Sequence, residues 1–295
     1  MFNGLSAFPL TPMNETYIDE TAFKKIIARL IKAKVNSIGV LGSTGSYAYL
    51  TRPERKRILE IATDVAGSVP IIAGIGALRT RHILELAEDA QKAGASAVLL
   101  APVSYQKLND DEVLNLYREV SSNLSVPLCV YDNPGTTHFT FSDELHGKIA
   151  QLPNVASIKI PGVPEDPELA KSRVDKLKSI IPSHVSVGVS GDAYAALGLN
   201  AGCDLWYSVI GGLFPEVCQR IIALSTGAEP ERALEFSEKL SPLWTLFGQY
   251  GSLRVVSSIA YKIGLADKTN LPKPLLSLNT AHQNEEIDKV IPLLF

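Results

Sequence analysis

Apolar residues along the chain fall into two alternating patterns. Short runs rich in Val, Ile and Leu read as buried strands. Between them lie longer segments whose apolar positions recur every three or four residues, as on one face of a helix. The short runs cover residues 4–10, 37–41, 69–73, 96–100, 126–131, 155–160, 184–189 and 203–210. The helical segments cover 21–34, 51–66, 80–93, 110–121, 142–151, 167–180 and 193–201, with another from 214 onward. In the first of these Phe23, Ile26, Ile27, Leu30 and Ile31 share a face. Thr51 and Ser142 stand where N-caps are expected, and Asp192 reads the same way for the segment after it.

Eight strand–helix units in succession call for parallel strands joined by crossovers. A doubly wound sheet meets that requirement too. Regular spacing within the first ~225 residues fits better with an α/β fold of the (β/α)8 TIM-barrel type, whose usual length is about 250 residues. Residues 225–230, Ser-Thr-Gly-Ala-Glu-Pro, read as a linker. Beyond them the pattern is helical only, over 231–246, 252–263 and 284–294, with Pro272 and Pro274 between the last two. The expected organisation is a catalytic barrel over 1–225 and a C-terminal helical domain over 226–295.

Composition narrows the class. With 46% hydrophobic and 20% charged residues in 295, the chain has ample material for a large core. A net charge of −3 leaves no basic excess, so nucleic acid is not an expected partner. Cys129, Cys203 and Cys218 form no CxxC, and the five histidines are scattered, so no metal cluster is expected. Sparse, odd cysteine usage suits a reducing compartment. The first residues lack a basic segment followed by an apolar run, and no stretch of about 18 apolar residues is available to span a membrane. A cytoplasmic protein is expected.

One strand carries an anomaly. Within Val155-Ala-Ser-Ile-Lys-Ile160 a single lysine, Lys159, sits among β-branched neighbours. Burying an ammonium is costly, and burial favours the neutral amine, which is a nucleophile toward carbonyl carbon. A strand-end lysine whose head reaches solvent is the plain alternative. Barrel chemistry gathers at the C-terminal ends of strands. There the second run ends in Gly42-Ser43-Thr44-Gly45, the fifth in Tyr131 and the seventh in Gly191-Asp192. The glycine-bracketed segment is a plain turn or an anion-binding one, and it lacks the lysine of a phosphate loop. Tyr131 is either a core ring or a proton carrier.

Taken together, Gly42-Ser-Thr-Gly45, Tyr131-Asp-Asn-Pro134 and Ser157-Ile-Lys-Ile160 resemble the three signatures of the dihydrodipicolinate synthase / N-acetylneuraminate lyase family. Those signatures are a GTTGE-like loop, a YxxP turn and an IK strand, and the resemblance covers essentially the whole chain. It implies a class I aldolase or lyase that uses no metal and no cofactor beyond its own covalent Schiff base. Lys159 would condense with pyruvate or a related 2-oxo acid, and Tyr131 would transfer protons. Ser43 and Thr44, on the loop opened by Gly42, would hold the substrate carboxylate and join the relay. Tyr207 aligns with a position whose backbone lies near the bound 2-oxo acid. An aldehyde partner and a homotetramer are implied as well.

Three positions depart from the family pattern. Ser46 stands where a glutamate is usual. Thr136 replaces the arginine that holds the aldehyde's carboxylate in the lysine-pathway synthases, which weighs against aspartate semialdehyde as substrate. In Pro102-Val-Ser-Tyr105 a serine, Ser104, occupies the place of the tyrosine donated between subunits, and Tyr105 is one residue on. A true 4-hydroxy-tetrahydrodipicolinate synthase, a non-catalytic 2-oxo acid-binding protein and a phosphate-binding barrel synthase stand as alternatives.

Overall fold

A computed structural model describes residues 1–227 and 229–295. Among the described residues, eight parallel strands close into one barrel in sequence order. The chain alternates as the hydrophobic pattern requires: β1 (Gly4–Ala7), α1 (Glu20–Lys32), β2 (Ser37–Val40), α2 (Arg52–Ala66), β3 (Ile71–Gly74), α3 (Thr80–Lys92), β4 (Ala97–Leu100) and α4 (Asp110–Ser122). It continues with β5 (Leu128–Tyr131), the short α5 (Pro134–Thr137), α6 (Asp143–Ala150), β6 (Val155–Ile160), α7 (Pro167–Ile180), β7 (Ser186–Val189), α8 (Ala195–Asn200), β8 (Leu205–Ser208) and α9 (Pro215–Thr226). Thr51 caps α2 in a reciprocal capping box with Glu54, and Ser142 caps α6 by accepting from Leu145 N–H.

Two apolar layers hold the barrel. The outer one packs strands against helices and includes Phe23, Ile26, Ile27 and Leu30 of α1. The inner one is smaller and more aromatic, with Phe8, Tyr131 and Tyr207 among its members. Room for these rings comes from missing side chains. A Cβ on Gly39 would lie 2.3 Å from the Phe8 ring, and one on Gly188 would lie 2.3 Å from the Tyr207 ring. No L side chain fits at either place without moving an aromatic.

The tail differs from its expected form. One helix over 231–246 was the reading of the pattern, but two are present, α10 (Pro230–Glu238) and α11 (Ser241–Tyr250). Pro242 lies in the first turn of α11. Its ring would clash with the Glu238 carbonyl in a continuous helix, so α10 ends there. Next come α12 (Ser252–Lys262) and α13 (Ala281–Val290), the latter starting before 284 and giving way to a 3₁₀ turn at Ile291–Leu294. The expected linker 225–230 contains Ala228, which lies outside the described residues. One continuous apolar cluster runs from the barrel's outer layer into α10–α13, through Ala233, Leu243, Val256 and Ile287. No described helix is long and apolar enough to cross a membrane.

Candidate active site

The lysine and the tyrosine are brought together by strand register. In the ladder between β5 and β6, Tyr131 is the direct partner of Lys159, and Cys129 is the partner of Ser157 two residues below. Directly paired residues point to the same face of a sheet. Here that face is the barrel interior, so the phenol and the amine share one level and Cys129 and Ser157 the level beneath. Lys159 is only 5% exposed. Its Nζ stands 4.1 Å from the Phe8 ring centroid, 4.2 Å from that of Tyr131 and 5.5 Å from that of Tyr207. Among the described residues no carboxylate forms an ion pair with it.

Above this floor opens a cavity of about 860 Å3. Ser43, Thr44, Tyr131, Thr136, Lys159 and Tyr207 all line it. The loop carrying Ser43 and Thr44 is held tightly. Leu41 and Ser46, on either side, both have φ of 57°, a left-handed conformation uncommon outside glycine. Such strain is concentrated at functional sites. The loop closes with Ser46 N–H donating to Ser43 O at 3.1 Å and Tyr47 N–H donating to Gly42 O at 3.4 Å. Gly42 itself lies beneath the loop, where a Cβ would come 2.8 Å from the Phe8 ring. Among the described residues, no hydrogen bond within the chain engages the Ser43 or Thr44 hydroxyl. Both remain free for an anionic ligand.

Tyr207 projects its ring into the barrel rather than offering backbone alone. Its hydroxyl lies 2.7 Å from Ser157 Oγ and 3.2 Å from Cys129 Sγ. Burial pushes the Tyr207 phenol well up and the Cys129 thiol to about 11, so both are neutral at physiological pH. Tyr105 is not brought to this chain's cavity. It is 91% exposed in the loop between β4 and α4, and Val103 is the residue of that loop that reaches the pocket.

Asp192 is a cap, but not of its own helix. Its carboxylate accepts from Trp206 Nε1 at 3.0 Å, Val209 N–H at 3.1 Å and Ile210 N–H at 2.7 Å, closing the turn after β8. Burial pushes its carboxyl up, and the three donors pull the other way.

Two residues went unread in the sequence. Asn133 donates from Nδ2 to the Tyr131 hydroxyl at 2.9 Å and to Thr136 Oγ1 at 2.9 Å, orienting the phenol over the cavity. Its position ahead of Pro134 marks it only as a turn residue. Tyr47 adds a further phenol to the lining, with the Arg55 guanidinium over its ring at 5.1 Å. Burial raises the Tyr47 phenol to about 12. Among the described residues no group of three or more His, Cys, Asp and Glu side chains is placed to hold a metal ion.

Fold and site together define a (β/α)8-barrel protein whose pocket is built around one buried lysine on the sixth strand. A model of the Dihydrodipicolinate synthetase family matches residues 1–291, and the chain belongs to that family. The crystal structure of dihydrodipicolinate synthase from Agrobacterium tumefaciens str. C58 superposes with a TM-score of 0.95 at 40% identity, over 100% of this chain and 98% of that one. The chloride-inhibited dihydrodipicolinate synthase from Acinetobacter baumannii, complexed with pyruvate, superposes with a TM-score of 0.89 at 25% identity, over 100% and 99%. In sequence, the 4-hydroxy-tetrahydrodipicolinate synthase of Rickettsia canadensis (strain McKiel) is 26% identical over 290 residues, 97% of this chain and 96% of the relative.

Proposed function

We propose that the chain is a class I aldolase or lyase acting through a Schiff base between Lys159 and pyruvate or a related 2-oxo acid. The observation that carries this reading is the register pairing of Tyr131 with Lys159 inside the barrel, with Lys159 Nζ 4.2 Å from the Tyr131 ring. The Lys159 amine stands among three aromatic rings and forms no ion pair with a carboxylate among the described residues, so as the free base it is placed to act as a nucleophile toward a keto carbon in the cavity. It adds to the keto carbon, and loss of water gives an iminium. That cation withdraws electrons from the neighbouring carbon, so a carbon–carbon bond one position further breaks to an enamine, or forms from one. Tyr131, held by Asn133, moves the protons. The Ser43 and Thr44 hydroxyls hold the 2-oxo acid's carboxylate and fix the approach of its keto carbon. Residues 1–225 are the catalytic barrel, and the helical domain 226–295 walls the pocket.

Thr136 supplies no cation beside Tyr131, which supports an aldehyde partner other than aspartate semialdehyde. The names carried by the relatives favour the synthase reading instead. Turnover of pyruvate with aspartate semialdehyde, measured beside a panel of other aldehydes, separates the two. The Schiff base itself is tested by borohydride reduction with pyruvate present. A pyruvyl-derived mass on Lys159, lost in Lys159→Arg, is expected. Tight 2-oxo acid binding with no adduct on Lys159 would replace the enzyme with a binding protein.

A further inference from the structure

The cavity is far larger than pyruvate needs. Its volume, about 860 Å3, lies near the top of the ~300–1,000 Å3 range of pockets that enclose whole drug-sized ligands. It extends from Lys159 to a wall made by the junction of α11 and α12, through Trp244, Phe247, Gly251 and Arg254. Among the described residues, three charged side chains line it: Lys159, Asp192 and Arg254. Lys159 belongs to the reacting centre, and the Asp192 carboxylate is committed to three donors. Arg254 is the remaining charge.

The Arg254 guanidinium is half-buried and has no carboxylate partner among the described residues. Among the described residues, its one hydrogen bond runs from Nη1 to Tyr250 O at 3.4 Å, beyond the usual length for a charged donor. It rests against Gly251, whose φ of 82° turns the chain between the two helices. Helix stability does not explain an arginine here. Arg254 lies in the first turn of α12, where the helix dipole disfavours a cation and no acidic residue offsets it. A residue that breaks a local rule while facing a ligand cavity is expected to answer to the ligand.

We infer that Arg254 anchors a second carboxylate, at the end of the substrate remote from the keto group, so that the natural substrate is a 2-oxo acid with carboxylates at both ends. This rests on the Schiff-base reading of Lys159 and fixes the substrate class for the same site. Among the described residues lining the cavity, Arg254 is the one cation besides Lys159, and a single planar guanidinium suits a singly charged carboxylate, held through two parallel N–H donors. Arg254 offers its cation from α12 in the helical tail, not from α5 beside Tyr131, where Thr136 stands.

The test uses the full chain and imine trapping, so it needs no knowledge of the aldehyde. Half-saturating concentrations for borohydride-fixed adducts on Lys159 are measured for 2-oxohexanoate against 2-oxoadipate, and for 2-oxoheptanoate against 2-oxopimelate. Members of a pair differ only in the terminal carboxylate. The dicarboxylate is expected to half-saturate at a concentration at least about tenfold lower in one pair or both. Arg254→Gln should bring that ratio near one, and Arg254→Lys should restore part of it. Equal half-saturation within both wild-type pairs, or a ratio that survives in Arg254→Gln, overturns the inference. So does wild-type trapping of pyruvate but of none of the longer acids. The wild-type ratios decide the matter even if Arg254→Gln does not fold. Failure of pyruvate itself to add to Lys159 sinks the Schiff-base reading instead.

Discussion

The floor and the wall of the pocket are built by different means. On the floor, Tyr131 and Lys159 are paired residues on neighbouring strands, locked by the backbone ladder and enclosed by Phe8 and Tyr207. In the wall, Trp244 and Phe247 come from one helix and Arg254 from the start of the next, the two joined through Gly251. The floor's geometry follows from register, which cannot slip by one residue without turning every side chain inside out. The wall's geometry follows from how a C-terminal segment packs across the barrel mouth. Chemistry therefore sits where displacement is most costly, and substrate selection sits where side chains can change without disturbing the ladder. The same division appears among barrel enzymes generally, which vary their loops and appendages over a fixed strand core.

The most damaging substitution short of the lysine itself should be Tyr131→Phe. It removes only the hydroxyl and leaves the ring over Lys159. Turnover is expected to fall by about 10²–10⁴-fold, the usual range for loss of a proton-transfer group. Trapping of pyruvate on Lys159 should survive, though more slowly. Retained turnover in Tyr131→Phe would break the comparison, by moving proton transfer off the floor and onto another phenol such as Tyr47.

The two regions were unequally legible in the sequence. Lys159 stood out because β-branched neighbours made its strand unmistakable and its charge anomalous. Tyr131 and the Ser43-Thr44 loop followed from the rule that barrel chemistry lies at strand ends. Asn133 did not, because an asparagine before proline reads as turn chemistry, and its bond to the Tyr131 hydroxyl depends on how α5 folds back. The Tyr207 hydroxyl, bonded beneath the lysine, depends on Gly188 leaving room, a relation between strands that no local pattern encodes. The wall was least legible. The period of apolar residues ran through 231–246 without a break, and Pro242 alone marked the boundary between α10 and α11. Arg254 lay in a segment that looked like an appendage.

Behind the floor lies a buried polar pair that should show in pH dependence. Asp132, next to Tyr131 in sequence, has its carboxyl raised to about 7 by burial, partly offset by Arg173. His146 Nε2 lies 3.4 Å from Asp132 Oδ2, and burial, aided by Arg173, lowers the imidazole to about 4. The two act with opposite sign. An unfolded aspartate ionises near its ordinary 3.8 while the folded one keeps its proton to about 7, so Asp132 costs stability progressively as pH rises between those values. An unfolded histidine binds a proton below its ordinary 6.5 while the folded one stays neutral to about 4, so His146 restores stability as pH rises over that span. Wild type should therefore be nearly flat across this window. Asp132→Asn leaves the histidine alone. Its unfolding free energy should climb by roughly 2 kcal/mol between pH 4.5 and 7, discounted from the full shift for relaxation around the site. Urea denaturation of both proteins across that range checks it, and parallel curves would show that the pair does not titrate as described.

The smallest effect should come from the wall. Phe247 is half-buried, packs edge-on against Trp244 with centroids 5.8 Å apart, and faces the cavity. Phe247→Ala removes apolar surface that a six- or seven-carbon substrate would cover and that pyruvate, held at the floor, does not reach. The expected loss is about 1 kcal/mol in the binding of the longer acids, roughly fivefold in half-saturating concentration, and less for pyruvate. The measurement is the same imine trapping on Lys159, with pyruvate and 2-oxoadipate run side by side. A substitution that weakened both acids equally would mean that the helical wall positions the lysine as well as the substrate's far end, and floor and wall would then be one mechanical unit. A loss confined to the longer acid would keep them separate, with the ladder setting the reaction and the helix junction setting what may undergo it.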